Sequence, residues 1–172
     1  MDSEKRRIKL LTLLSAEGEP VTGTELAALF GVSRQVIVQD IAILRATGER
    51  VLATPQGYLI PRLSTESRFC TVVTCKHTME QIEHEIGIVV DLGGKVLDVI
   101  VEHPVYGELR GSLMISSRRD LSIFLERLVE TAAKPLSALT DGVHLHTLEA
   151  PDSTVMQEII QRLRTAGLLA IS

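Results

Sequence analysis

Residues 30–45, Phe-Gly-Val-Ser-Arg-Gln-Val-Ile-Val-Gln-Asp-Ile-Ala-Ile-Leu-Arg, constrain the fold more than any other stretch of the chain. Gly31 accepts the backbone angles of a tight turn, and a serine at 33 can take a hydrogen bond from the first free amides of a helix. Behind it, Ile37, Ile41 and Leu44 recur at three- and four-residue spacing, which is one face of a helix. Ser33, Arg34, Gln35, Val38 and Gln39 fall on the other side, near the helix start. Upstream, Thr22 to Phe30 reads as a short capped helix. Two helices joined by a glycine turn, the second with a polar outer face, form a helix-turn-helix. Arg and Gln side chains can pair two hydrogen bonds with base edges in the major groove, to guanine and adenine respectively. An ordinary surface helix pair in an enzyme is the alternative, but turn, cap and outer face all agree on the former.

The 172 residues suit one large domain or two small ones. Apolar residues at 45% are enough for a packed core, and with aromatics at only 3% that core must be aliphatic. No uninterrupted apolar run of signal-peptide or membrane length follows the first residues, so the expected location is cytoplasmic, away from membranes. Cys70 and Cys75, five apart in one strand, point to opposite faces and are expected to be free thiols.

Residues 1–61 read as one module. Ile8, Leu11 and Leu14, with Leu10 and Leu13 beside them, give the first helix a broad apolar stripe. Lys5, Arg6 and Lys9 in its first turn are either DNA-backbone contacts or solvated surface. After the second helix of the motif, residues 51–53 and 58–60 flank Thr54-Pro55-Gln56-Gly57, a hairpin with turn residues at its tip. Three helices and a hairpin make a winged helix. Arg50 and Gln56 are placed to approach phosphate or the minor groove. Asp40, toward the packed side, is expected to pair with a basic group or a backbone amide. Seven basic and seven acidic residues in positions 1–60 cancel, so the remainder carries the formal net charge of -4. Phosphate contact needs a local basic surface, not a basic total. Weak binding by one neutral module favours a homodimer that reaches two half-sites of operator DNA.

Residues 61–67 show no period and read as a linker to a second module, residues 66–172. The β-branched run within 68–76 predicts a strand, and Thr78 can cap a helix that runs to about Val90. Strands are predicted over 96–102 and 109–115, a helix over 117–133, a strand over 142–148, and a helix between Pro151 and Gly167. Residues 168–171 add a possible last strand. The succession predicts an α+β sandwich resembling a split βαβ, ferredoxin-like arrangement.

His144 and His146 lie two apart in a strand, hence on one face, and neighbouring imidazoles suit a divalent transition metal such as nickel, zinc, iron or manganese. Two hydrogen-bonded histidines are the alternative. His77 ends the first strand of this module, ahead of Glu80, Glu83, His84 and Glu85 on the following helix. Spacing alone does not say which of these groups meet.

Residues 33–41 (SRQVIVQDI), 99–107 (VIVEHPVYG) and 142–147 (GVHLHT) together resemble the niacin-responsive transcriptional repressors. These consist of a helix-turn-helix followed by a three-histidine (3H) domain. The resemblance implies a non-enzymatic repressor of niacin-uptake and NAD-synthesis genes, with nicotinic acid as co-repressor. It implies a metal held by His77, Glu85, His144 and His146. It also gives His103, in the His-Pro-Val-Tyr-Gly motif, a pocket or structural role rather than direct ligation, and puts Tyr106 at the ligand pocket. Arg110, Arg118 and Arg119 are candidate cations for the nicotinate carboxylate. Two other readings stay open, a regulator that senses the metal itself and a metallohydrolase joined to a DNA-binding module.

Overall fold

The computed structural model of the chain describes residues 2–61 and 68–170. It separates into two compact units, Met1–Ser64 and Thr65–Ser172. The linker expected over 61–67 lies, beyond Pro61, outside the described residues. Among the described residues no single helix is long and apolar enough to cross a membrane.

The first unit packs α1 (Ser3–Glu17), α2 (Gly23–Phe30) and α3 (Arg34–Ala46), followed by the hairpin of β1 (Leu52–Thr54) and β2 (Gly57–Leu59). Thr22 and Glu25 exchange bonds across the start of α2, Glu25 N donating to Thr22 Oγ1 (3.1 Å) and Thr22 N to Glu25 Oε2 (2.8 Å). Gly31, with φ 64°, closes α2 in the left-handed region, and Ser33 Oγ accepts from Val36 N (3.4 Å) to open α3. Leu10, Leu14, Leu26, Ile37, Ile41 and Leu44 form the core. Each such aliphatic side chain contributes about 1.5–3 kcal/mol on burial. The stripe on α1 is narrower than its pattern suggests. Leu10 and Leu14, one turn apart, carry the contact, and Ile8 stays 60% exposed. Asp40 is buried on α3 and accepts from Arg6 Nε (2.6 Å) and NH2 (3.3 Å), which clamps α1 to α3.

The second unit is a four-stranded antiparallel sheet in the order β3-β6-β4-β5. Its strands are β3 (Phe69–Lys76), β4 (Lys95–His103), β5 (Gly107–Ile115) and β6 (Val143–Ala150). Between them run α4 (Ile82–Asp91), α5 (Arg118–Thr131) and α6 (Ser153–Thr165), with 3₁₀ turns at Met79–Gln81 and Leu136–Thr140. Each βαβ unit is split, since β6 lies between β3 and β4, and β4 lies between β5 and β6. The first strand therefore pairs directly with the last, Cys75 opposite His144 and Val73 opposite His146. Residues 168–170 add only a bridge to the outer edge of β3, Leu169 against Cys75, and Ile171 is outside the described residues. Ile86, Leu121, Met156, Ile159 and Leu163 pack against the strands as an aliphatic core. Cys70 is exposed and Cys75 buried, both free, as alternation on one strand requires.

Candidate functional site

Four side chains from three elements converge in the second unit. His77 follows β3, Glu85 lies in α4, and His144 and His146 lie on β6. All four are buried. Glu85 stands three residues after Ile82 and one before Ile86, on the helix face turned to the sheet, whereas Glu80, Glu83 and His84 are exposed.

Each imidazole is held by its Nδ1. His77 donates to the Thr78 carbonyl (2.8 Å), His144 to the Gly142 carbonyl (2.9 Å) and His146 to the Asp98 carbonyl (2.6 Å). A bulge in β4 shifts the register beyond Val96 and releases the Asp98 carbonyl from the ladder. Gly142, with φ 86°, passes so close to His77 that a Cβ there would collide with the His77 carbonyl. With Nδ1 donating, each neutral ring turns an Nε2 lone pair inward. All three meet one carboxylate: His77 Nε2 is 2.6 Å from Glu85 Oε2, His144 Nε2 3.3 Å from Oε1, and His146 Nε2 3.4 Å from Oε2. The rings stand nearly edge to face, with centroids 4.8 Å apart for His77–His144 and for His144–His146.

Lone pairs facing a carboxylate repel unless positive charge lies between them. His77 Nε2 is buried and, for all its closeness to Glu85, makes no aligned hydrogen bond. Burial opposes charge on Glu85, but the surrounding histidines outweigh it and hold its carboxyl below the usual range. Burial likewise opposes protonation of His77 and His146, and the Glu85 carboxylate outweighs it and raises both. The raised histidines and the lowered carboxyl favour charged pairing across these contacts. Three imidazole nitrogens and a carboxylate oxygen are a metal donor set, and Nδ1 bonds to carbonyls are the outer support such histidines need.

A narrow cleft opens beside this cluster. Glu85, His144, His146 and Ser137 make its polar side, and its apolar wall includes Phe124 and Leu136. A second cleft reaches His77 past Met79 and Asp141. Among the described residues no lysine or arginine lines either one.

His103, Tyr106, Arg110 and Arg118 line neither cleft. His103 and Tyr106 sit at the β4–β5 corner, where His103 Nδ1 accepts from Val105 N (3.1 Å) and Tyr106 N (3.3 Å). Tyr106 is 74% exposed and stacks on His103, so the motif shapes a hairpin tip and not the cleft wall. Arg110 donates to Asp98 Oδ2 (2.6 Å) and Glu108 Oε1 (3.2 Å), so its charge is already answered. Its role is to brace Asp98, whose carbonyl fixes His146. Arg118 is bound to Asp91, at 2.7 Å through Nε. Two further features come from the fold. Cys75 Sγ, a Glu85 oxygen and a His144 nitrogen lie within 4.8 Å of one another. Period-two spacing of Cys75 and His77 was the available signal. The cleft wall of Val99, Leu113, Phe124 and Leu136 had no local signal at all.

In the first unit, Ser33, Arg34, Gln35 and Gln39 are exposed on α3 and Val38 is half-buried beside them. Gln56 is a correction. The wing turn folds back, Thr54 Oγ1 donating to the Gly57 carbonyl (2.9 Å) and accepting from Gln56 N (3.2 Å). Tyr58 N donates to Val21 O (2.8 Å), which ties the hairpin to the helices. The Gln56 side chain is thereby buried and makes no hydrogen bond, so it is not offered to DNA. Arg50 remains exposed.

Comparison with known proteins follows the same division. A helix-turn-helix domain family matches residues 6–59 and the 3H domain family matches residues 70–172. The probable transcription repressor NiaR of Thermotoga maritima is 43% identical over 166 residues, 96% of this chain and 94% of that protein. The transcription repressor NadR of Bacillus subtilis is 43% identical over 166 residues, 95% of this chain and 92% of its own. With an exposed reading helix in one unit and a 3H domain in the other, the chain belongs to the NiaR/NadR family of transcription repressors.

Proposed function

We propose that this DNA-binding transcription repressor is switched by nicotinic acid, bound at a divalent metal held by His77, Glu85, His144 and His146. The genes it controls serve niacin uptake and NAD synthesis. The observation that carries the reading is the convergence of three buried Nε2 atoms on Glu85, with Glu85, His144 and His146 on the polar side of an apolar cleft. Small-ligand sites take this form, an apolar wall with a few polar groups that fix orientation.

When bound, the ion supplies Lewis acidity and the positive charge that the cleft's lining residues lack. The chain's own groups do the rest. Thr78, Gly142 and Asp98 carbonyls hold the ring tautomers, Phe124 and Leu136 would supply an apolar wall for the pyridine ring, and Ser137 would offer a hydroxyl to a carboxylate oxygen. In the first unit, the start of α3 enters the major groove, where Arg34 and Gln35 read base edges. One short helix covers few base pairs, so the working species is a homodimer on a two-fold operator. Nicotinate promotes repression only as far as it binds the DNA-competent state more tightly than the other.

The test is operator affinity measured with metal alone, with nicotinate alone and with both. The reading requires the large gain with both. A full response to metal alone would make the protein a metal sensor instead. An unchanged response to nicotinate after chelation would remove the metal from the switch. Sedimentation at operator-binding concentrations tests the dimer, and a monomer would refute it.

A further inference from the structure

One donor in the cluster has no part in the four-residue set. Cys75 is fully buried on β3, two residues before His77 and directly opposite His144 on β6. Period two puts Cys75 and His77 on the same face of the chain, as it does His144 and His146. Two Xaa-x-His pairs on adjoining strands thus face one carboxylate on α4. A buried free cysteine ordinarily behaves as a small apolar side chain. This one faces polar groups: its Sγ, a Glu85 oxygen and a His144 nitrogen lie within 4.8 Å of one another. The buried Nε2 of His77, 2.6 Å from Glu85 Oε2 without an aligned hydrogen bond, faces the same carboxylate.

We propose that Cys75 is a thiolate ligand of this metal centre, giving it sulfur, nitrogen and oxygen donors and a preference for zinc or cobalt over manganese. The proposal rests on the metal reading above. Ligation removes the thiol proton to solvent, and the metal–sulfur bond takes its place without any redox change. Thiolates select soft and borderline ions, whereas manganese prefers oxygen ligands. Cys70, exposed on the opposite face of the same strand, is the internal control.

Cobalt(II) titrated into the reduced, metal-free full chain separates the outcomes. We expect visible d–d bands at one ion per chain together with a near-ultraviolet sulfur-to-cobalt charge-transfer band. Cys70→Ser should keep both. Cys75→Ser and Cys75→Ala should keep the d–d bands and lose the charge-transfer band, and their zinc-over-manganese affinity ratio should fall by roughly tenfold or more. Bound cobalt without the charge-transfer band in Cys70→Ser would overturn the thiolate and leave the metal site standing. No bound cobalt at all would overturn both. The Cys70→Ser spectrum decides the matter even where a Cys75 variant does not fold.

Discussion

The outer face of α3 and the cluster around Glu85 treat polar groups in opposite ways. On α3, Arg34, Gln35 and Gln39 are exposed. Around Glu85 every polar atom is buried, and each depends on the next. Asp98 fixes His146, Gly142 fixes His144, and all three rings share one carboxylate. The exposed face keeps its groups free to meet a partner. The buried one has its groups already oriented, which is what a metal requires and what makes it intolerant of loss. Changes on α3 should therefore be graded and nearly additive, and changes in the cluster collective.

The largest expected effect is His146→Ala. It should abolish metal binding and the nicotinate response together, while circular dichroism and basal DNA affinity stay close to the parent's. Retained nicotinate response in that variant would make the histidines pocket hydrogen-bonders. Next comes the linkage of metal to folding. Metal at about a thousand times its Kd should stabilise the protein by about 4 kcal/mol, visible as a rise in Tm that chelation reverses. No shift would mean the cluster is complete without an ion.

The pH dependence should have opposite signs with and without metal. His77 and His146 titrate above the ordinary imidazole value of about 6.5, so they stabilise the metal-free fold below that pH. That contribution is lost as pH rises through their folded values. Glu85, held low, stabilises above the ordinary carboxylate value of about 4.3 and loses this as pH falls through its folded value. The metal-free Tm should thus decline as pH rises past the raised histidine values, while the gain from metal grows, because only neutral imidazole ligates. Parallel trends with and without metal would separate the ion from these rings.

Smaller effects belong to α3. Arg34→Ala and Gln35→Ala should each cost roughly 1–3 kcal/mol of specific operator binding and relax base preference, with the double variant close to their sum. Unchanged affinity in both would take this helix out of the groove. The smallest effect is expected from Arg110→Ala. Acting only through Asp98, it should change metal affinity by less than about tenfold and leave nicotinate affinity at saturating metal unaltered. A large loss of nicotinate binding would return Arg110 to the ligand.

Local spacing determined what depends on neighbours along the chain. The Gly31 turn, the Ser33 cap and the Ile37–Ile41–Leu44 face define α3, and alternation puts His144 beside His146. These follow from periods of 3.6 and 2, which a sequence displays directly. That His77 and Glu85 join the pair was implied only by family resemblance, since no local rule prefers Glu85 over Glu83. Tertiary structure settled the meeting through the strand order. Pairing of β3 with β6 brings the end of one strand to the start of another 60 or more residues later, and the packing of α4 turns Glu85 inward. The wing turn buried Gln56, the β4–β5 corner carried His103 and Tyr106 to an exposed tip, and Asp98 took Arg110 into an ion pair. Which polar side chains face one another is fixed by long-range register and packing, and period alone carries no information about either.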